Sequence, residues 1–502
     1  MYKEREWMNA TAWALLPPVL AIIISLITKE VNLSLFVGII VGAMIYTGGN
    51  LFSAVSTMFE IMGNKVQGNM GVLIFIVLLG MIVHLMNLSG ATHEYAEWAS
   101  KRIKTKRQAL LATMALGIII FVDDYFNCLT VGTVMRPITD RNKISREKLA
   151  YIIDSTAAPI CIIAPISSWA AAVSSSLPDG STLDGFSLFM KTISCNYYSW
   201  FALVLILITT CFNVDFGKMR KFEMIAMSRS DEDPLNQNMS TTKEGNGKVI
   251  DLILPVVGII VFSIISMLYT GGFYEGGITV GDALANCDAI LGLAMGALYT
   301  VLFLAILYLP RRIVSPKQYL DGLVEGFKNM VPATLILTLA WTLSGVCGGD
   351  YLNAGGFVAN MVNAHSIPMS FMPAIFFVVA LLLAFSTGTS WGTFAILLPI
   401  TASVFGDQMS SLMVMTTAAV LGGSVCGDHI SPISDTTILS STGAECNHLN
   451  HVESQMQYGL LVAAVSFVAY VVAGITGIEW MGLVLGVVAF VAFGSWLRIK
   501  SR

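Results

Sequence analysis

The sequence predicts an all-α integral membrane protein made of two inverted-topology repeats. Each repeat has five crossing helices plus one re-entrant hairpin, and one extra C-terminal crossing helix follows. Three observations predict this. Hydrophobic residues make up 55% of the 502 residues and charged residues only 12%. The apolar stretches have the length of helices and lack strand alternation. Short motifs recur in the same order in both halves, and the basic loops are placed so that one half is upside down relative to the other.

A soluble domain carries roughly a quarter charged residues. This chain, with a mean hydropathy of +0.73, cannot cover its surface with polar groups, so lipid is its natural solvent. In lipid every backbone amide is satisfied within the chain, which leaves helices or a closed barrel. The apolar runs of about 17–25 residues match a hydrocarbon core of about 30 Å, and the absence of period-2 alternation excludes a barrel. The net charge of −4 points to no particular partner. No basic stripe with interleaved aromatics occurs, which excludes nucleic acid as a partner. The eight cysteines are scattered with no C-x-x-C and read as small buried hydrophobes. Lys3 and Arg5 precede an apolar run like that of a signal peptide, but no small-x-small cleavage site closes it. That run is expected to be a mature helix.

Crossing helices are expected near 10–28, 31–49, 71–89, 149–176 and 186–212, then near 249–270, 284–309, 331–348, 409–440 and 456–474, with the extra one near 478–497. Segments 51–68 and 314–330 are amphipathic and read as interfacial helices. Segments 109–138 and 371–405 each carry a polar tip between two apolar arms: Asp123-Asp124 in the first, Ser386 to Gly392 in the second. Arms of about 14 residues reach only about 20 Å, so both read as re-entrant hairpins. The organisation is then a first repeat over 1–212, a cytoplasmic linker over 213–248, a second repeat over 249–476, and a final helix and tail over 477–502.

Five matches relate the halves. Leu16-Pro17 pairs with Leu254-Pro255, and Gly38, Gly42 and Ala43 with Gly292, Gly296 and Ala297. Leu88-Ser89-Gly90 pairs with Leu343-Ser344-Gly345, Pro137-Ile138-Thr139 with Pro399-Ile400-Thr401, and Pro165-Ile166-Ser167 with Pro432-Ile433-Ser434. Repeats of this kind are a mark of transporters. An odd number of crossings in the first half makes the second start from the opposite side. With the N-terminus outside, the basic loops 101–107, 136–148, 218–248 and 311–317 and the tail 498–502 all fall inside. The loops 177–185 and 271–283, without Lys or Arg, fall outside. This is the positive-inside pattern, to which Lys65 and Lys328 are exceptions. The expected location is the inner (cell) membrane, with a cytoplasmic C-terminus.

The chemistry concentrates at half-depth. Ala158-Pro159, Ala164-Pro165, Gly422-Gly423, Gly427 and Pro432 break the segments beside the hairpins. Unwound backbone at membrane depth is tolerated where it lines a cavity, and it frees carbonyls for cations and helix N-termini for anions. Asp123, Asp124, Asp154, Asp428 and Asp435 lie at these tips and breaks, where a charge costs about 2.5–3.5 kcal/mol on insertion scales. Adjacent residues on a helix diverge, so one of Asp123 and Asp124 is expected to face the cavity. Asn127, Ser155, Thr156, Thr387, Thr389, Ser390, His429, Ser434 and Thr436 complete the candidate ion- or substrate-binding set. Such oxygen donors suit Na+ rather than copper or zinc, with Asp124, Asp154 and Asp435 as candidate Na+ ligands. Burial raises a carboxylate's affinity for a proton, so one group can hold H+ or Na+ in turn. Trp169 and Trp391 are candidate cavity walls or ordinary packing. His84 reads as a core residue, His448 and His451 as loop residues with a weak pH-sensing signal, and Arg136 as a positive-inside anchor.

At these residues the chain resembles the NhaC-type sodium/proton antiporters of the ion transporter superfamily. The likeness rests on Phe121-Val-Asp-Asp-Tyr-Phe-Asn127, Met135-Arg-Pro-Ile-Thr-Asp140 and Ile144-Ser-Arg-Glu-Lys-Leu-Ala-Tyr151 leading to Asp154-Ser-Thr-Ala-Ala-Pro159. It continues in Thr389-Ser-Trp-Gly-Thr393 and Cys426-Gly-Asp-His-Ile-Ser-Pro-Ile-Ser-Asp-Thr-Thr437. The resemblance implies secondary transport driven by sodium or proton gradients, and a homodimer by analogy. Similar proteins also exchange sodium-malate against proton-lactate or carry amino acids. Phe126 stands where many members have Ala.

The expected function is therefore sodium/proton antiport with alternating access, with no cofactor and with Na+, H+ and the bilayer as partners. The alternative is sodium- or proton-coupled transport of a small organic solute such as an amino acid or carboxylate. No Lys or Arg is expected within the membrane to neutralise a dianion. An enzyme is not expected, since no nucleophile–base pair or metal-ligand spacing occurs.

Overall fold

The computed structural model describes residues 10–28, 30–121, 124–165, 167–177, 183, 185–228, 246–354, 356–357, 368–405 and 409–500. Among these the chain is helical and has no strand. The first half runs through α1 (Leu16–Thr28), α2 (Val31–Tyr46), α3 (Leu51–Gly68), α4 (Met70–Leu88) and α5 (Ala91–Ser100). The first hairpin follows as α6 (Lys106–Ile119) and α7 (Asp124–Arg141). Then come α8 (Arg146–Thr156), α9 (Ala158–Cys161), α10 (Ser168–Ser175), α11 (Gly185–Thr192), α12 (Tyr197–Phe212) and α13 (Gly217–Ser228).

The second half has α14 (Ile250–Thr270), α15 (Val280–Ala285), α16 (Ala289–Tyr308) and α17 (Pro316–Val346). Its hairpin is α18 (Met372–Thr387) and α19 (Ser390–Phe405), followed by α20 (Ser411–Ile430), α21 (Asp435–Ala444), α22 (His448–Thr476) and α23 (Glu479–Lys500). Short polar residues start these helices where the sequence places them. Side chains of Thr105, Ser145, Ser315, Ser410, Ser434 and Asn447 each accept the backbone N–H three residues on, which satisfies an otherwise orphaned donor.

Seven helices among the described residues are long and apolar enough to cross a membrane, and nine if two bent pairs each count as one span. Their outward side chains are apolar: Ile253, Val257, Val261 and Ile265 on α14, and Val484, Val488 and Val491 on α23, are exposed. Such stripes face lipid. The chain is a multi-pass membrane protein.

Three expectations are corrected. Segments 314–330 and 331–348 are one continuous helix, α17, because its amphipathic half packs on α4. A Cβ at Gly326 would lie 2.5 Å from Met81 Cα and 2.8 Å from the Gly80 carbonyl, so the two helices meet closely there. Met369–Thr387, read as a short hairpin arm, reaches spanning length at 19 residues. His448 and His451, placed in a loop, stand in the first turn of α22, which Asn447 caps. The crossing expected over 149–176 is broken into α8, α9 and α10, and that over 409–440 into α20 and α21. Prolines, which lack a backbone donor, lie in or beside both breaks.

Each hairpin packs against the broken helix that follows it. Both α6 and α7 contact α8, and both α18 and α19 contact α20. The second piece of the second broken helix, α21, then crosses between α7 and α8. Small residues make that crossing: Gly132 of α7 meets Gly443 of α21, with room for no Cβ on either.

Candidate functional site

Asp435 is the first residue of α21, and Asp124 opens the described part of α7. Helix N-termini carry partial positive charge and favour a carboxylate. In each case the next amide donates back to the carboxylate: Tyr125 N–H to Asp124 Oδ1 at 3.1 Å, and Thr436 N–H to Asp435 Oδ1 at 2.8 Å. The Tyr125 hydroxyl reaches across from α7 and donates to Asp435 Oδ2 at 2.8 Å. The Trp169 indole donates to Asp124 Oδ2 at 3.1 Å. Both carboxylates are fully buried and lie within range of each other's charge.

Asp428, in the last turn of α20, accepts from the Thr436 hydroxyl at 2.6 Å. Its other oxygen, Oδ1, is buried with no hydrogen-bond partner among the described residues. Ser434 caps α21 by accepting from Thr437 N–H at 3.2 Å, and its hydroxyl lies 3.3 Å from that of Thr436.

Asp154 lies in the last turn of α8, just before the first break. It accepts from the Thr437 hydroxyl at 3.0 Å, the Ser440 hydroxyl at 3.2 Å and the Gln455 amide. His429 turns its ring to the Tyr198 hydroxyl, 3.0 Å from Nδ1, and its backbone carbonyl to Gln455. The charges form a row, Asp154 beside Asp428, Asp428 beside Asp435, Asp435 beside Asp124. None of the four has a Lys or Arg at ion-pair distance among the described residues.

Several candidate residues have other occupations. Asn127 Nδ2 donates to the carbonyls of Gly117, Ile120 and Thr156, at 2.7, 2.8 and 3.2 Å, so it pins the hairpin to the first break. Thr156 and Thr387 return their hydroxyls to carbonyls of their own helices. Ser155 faces Tyr151. The Ser390 hydroxyl is buried without a partner among the described residues. Asp123 lies outside the described residues. Among the described residues no three carboxylate, imidazole or thiol groups converge as a metal centre does. Asp124, Asp154 and Asp435 therefore do not form one three-carboxylate shell.

Asp435 also lines a cavity of about 160 Å³. Around it stand Tyr125, Trp341, Trp391, Thr389 and Lys65. The Lys65 stem lies along Gly345, where a Cβ would come within 2.8 Å of Lys65 Cε. Thr389 caps α19 weakly, accepting from Gly392 N–H at 3.4 Å. Gly388 makes the hairpin tip with φ +69°, a conformation glycine adopts freely, and a Cβ there would sit 2.4 Å from the Ile433 carbonyl. The tip is thus seated in the second break.

Tyr125, Trp341, Gln455 and Lys65 escape the sequence reading. Tyr125 directly follows the aspartate pair and carried that much signal. Lys65 was visible only as a charge on the wrong side. Gln455 and Trp341 carry none, because only tertiary packing brings their helices to the breaks.

Residues 180–475, more than half of the chain, match the family described as the Na+/H+ antiporter family. An uncharacterised protein of Haemophilus influenzae is 37% identical over 486 residues, spanning 93% of this chain and 92% of that protein. A malate-2H(+)/Na(+)-lactate antiporter of Bacillus subtilis is 28% identical over 183 residues, 36% of this chain and 37% of its own length. Among solved structures, the YdaH transporter of Alcanivorax borkumensis covers 92% of this chain and 99% of its own, with a TM-score of 0.43 and 11% identity. The chain belongs to the Na+/H+ antiporter family, and it is a secondary transporter.

Proposed function

We propose that the protein exchanges sodium ions for protons at the row of buried aspartates. The observation that carries this reading is four buried carboxylates with no basic partner at ion-pair distance and one bare oxygen, Asp428 Oδ1, among the described residues. Buried charge without compensation is costly, so such a row needs protons or cations from outside the protein. A proton and Na+ then compete for the same oxygens, and Asp124, Asp154, Asp428 and Asp435 carry the competition. Sequence repeats, the paired hairpin-and-break arrangement and the basic-loop pattern support two inverted repeats over 1–212 and 249–476, joined by the linker 213–248. They also support an inner-membrane location with the N-terminus outside and the C-terminus, after the extra helix in 477–502, inside. Alternating access then moves the two hairpin-and-break units relative to the remaining helices.

The test is purified protein in liposomes with an imposed sodium gradient and an internal pH indicator. Sodium-driven proton flux without any organic solute is expected, and its absence overturns the reading. Tyr125→Phe removes the hydroxyl from Asp435. A hydrogen bond to a charged group contributes about 1.5–3 kcal/mol, so half-saturation by sodium should shift by about tenfold or more, measured in the same vesicles.

A second reading, coupled transport of a small carboxylate-bearing solute, is favoured by one observation. The cavity wall carries Lys65 together with Asp435, Tyr125, Trp341 and Trp391. The lactate- and malate-exchanging relative is consistent with it. If a solute carboxylate pairs with Lys65, Lys65→Met should reduce solute-stimulated flux by about tenfold or more.

A further inference from the structure

A line of polar side chains beside Asp154 has a hydrogen-bond inventory that does not close with neutral histidines. It runs from Gln455 through His451 and Ser441 to His448. The Gln455 amide has a fixed orientation, because its Nε2 faces two pure acceptors, Asp154 Oδ2 and the His429 carbonyl at 2.8 Å. Its Oε1 therefore points at His451 Nε2, 2.8 Å away, and that nitrogen must carry a proton. At the far end, His448 Nε2 lies 2.8 Å from the Pro432 carbonyl. A carbonyl only accepts, so this nitrogen carries a proton too.

Both remaining ring nitrogens face one hydroxyl. Ser441 Oγ is 2.9 Å from His451 Nδ1 and 3.0 Å from His448 Nδ1, with the Thr437 carbonyl at 2.8 Å. If both rings are neutral, both Nδ1 atoms are bare acceptors competing for one hydroxyl proton, and a lone pair faces a lone pair. One added proton resolves this. It sits on one Nδ1 and is donated to Ser441 Oγ, whose own proton goes to the other Nδ1. The two versions differ only by a hop through the hydroxyl. A second added proton would also satisfy the bonding, by turning the hydroxyl to Thr437, but it sets two imidazolium charges against one oxygen.

We propose that His448, Ser441 and His451 form a binding site for one proton, which balances the charge of Asp154. Asp154 accepts three donors and has no basic side chain at ion-pair distance among the described residues. An imidazolium one glutamine away supplies the missing countercharge, as buried charges require. The groups facing the triad are Asp154 and Glu147 from α8, His429 from α20, and Cys446 beside Ser441. Of these, Asp154 faces both rings and Glu147 faces His451, so carboxylates stand beside the triad while burial of the rings opposes their charged form. When the proton leaves, Asp154 is uncompensated and attracts a cation. The use of the site thus rests on the exchange reading and refines it at Asp154, where the competing proton is held on the neighbouring histidines.

The experiment uses the full chain in lipid with 15N-histidine and solid-state NMR across the pH range of transport. The Nδ1 signals of His448 and His451, assigned by His→Gln variants, should report one shared proton that titrates, and Ser441→Ala should abolish the sharing. In vesicles, Ser441→Ala should shift the pH of half-maximal sodium-driven proton flux by about one unit or more, and Ser441→Thr, which keeps the hydroxyl, should restore it. Two neutral rings throughout that range, or an unshifted profile in a folded Ser441→Ala protein, overturn the proposal. If the wild type moves no protons with sodium, the exchange reading fails, while the NMR titration still decides the site.

Discussion

Replacing Asp435 by Asn is expected to cut sodium-driven proton flux by about a hundredfold or more, the equivalent of about 3 kcal/mol. The substitution keeps shape and removes the charge. Asp435 is where the two lines of evidence meet, since it belongs to the carboxylate row and also lines the cavity with Lys65 and Trp391. The Tyr125 hydroxyl donates to it, and Asp124 faces it. An amide in its place can present a donor where the cation needs an acceptor. Fluorescence-detected gel filtration should show a folded variant, because Asn still accepts from Tyr125. Flux at wild-type rate in that folded variant would remove Asp435 from the site and leave the cavity without its acidic pole.

The second large effect is structural. Gly132→Ala places a Cβ 2.4–2.7 Å from the C, O and Cα of Gly443, and all three atoms are main chain that cannot rotate away. Overpacking of this kind costs about 1–3 kcal/mol or more. The thermal melt of the solubilised protein should fall, and flux should fall with it, because the crossing of α7 and α21 sets the distance between Asp124 and Asp435. Gly63→Ala in α3 is the control. Nothing lies within 4 Å of its added Cβ, and alanine is the better helix former by about 1 kcal/mol, so its melt should hold or rise. A Gly132→Ala protein as stable and active as the wild type would mean that this crossing is looser than its geometry implies.

Much of the architecture was legible from hydropathy and punctuation. Prolines and glycines mark both broken helices. The aspartates were legible because a charge in an apolar run stands out. What could not be read depends on lateral packing. α17 continues through the boundary expected near residue 330, where Gly326 packs closely on α4, and no local signal in α17 records its partner. His448 and His451 looked like loop residues because the first turns of α22 are polar. Those turns are buried against α8 and α21 instead, and their polarity serves the Asp154 network. Asn127 looked like a ligand, yet a lone amide at a hairpin can equally close backbone carbonyls left open by a break.

Phe126 is buried on α7 and meets Phe75 of α4 edge-on, with ring centroids 6.4 Å apart. Phe75, Val72, Ile290 and Leu293 form the apolar side of the cavity, and they come from α4 and α16, not from the helices that carry the aspartates. Divergence within a lineage can therefore recontour the chamber through Phe126 and the residues behind it and leave the acidic machinery untouched. Paralogues that share the same energetics can then accept different cargo.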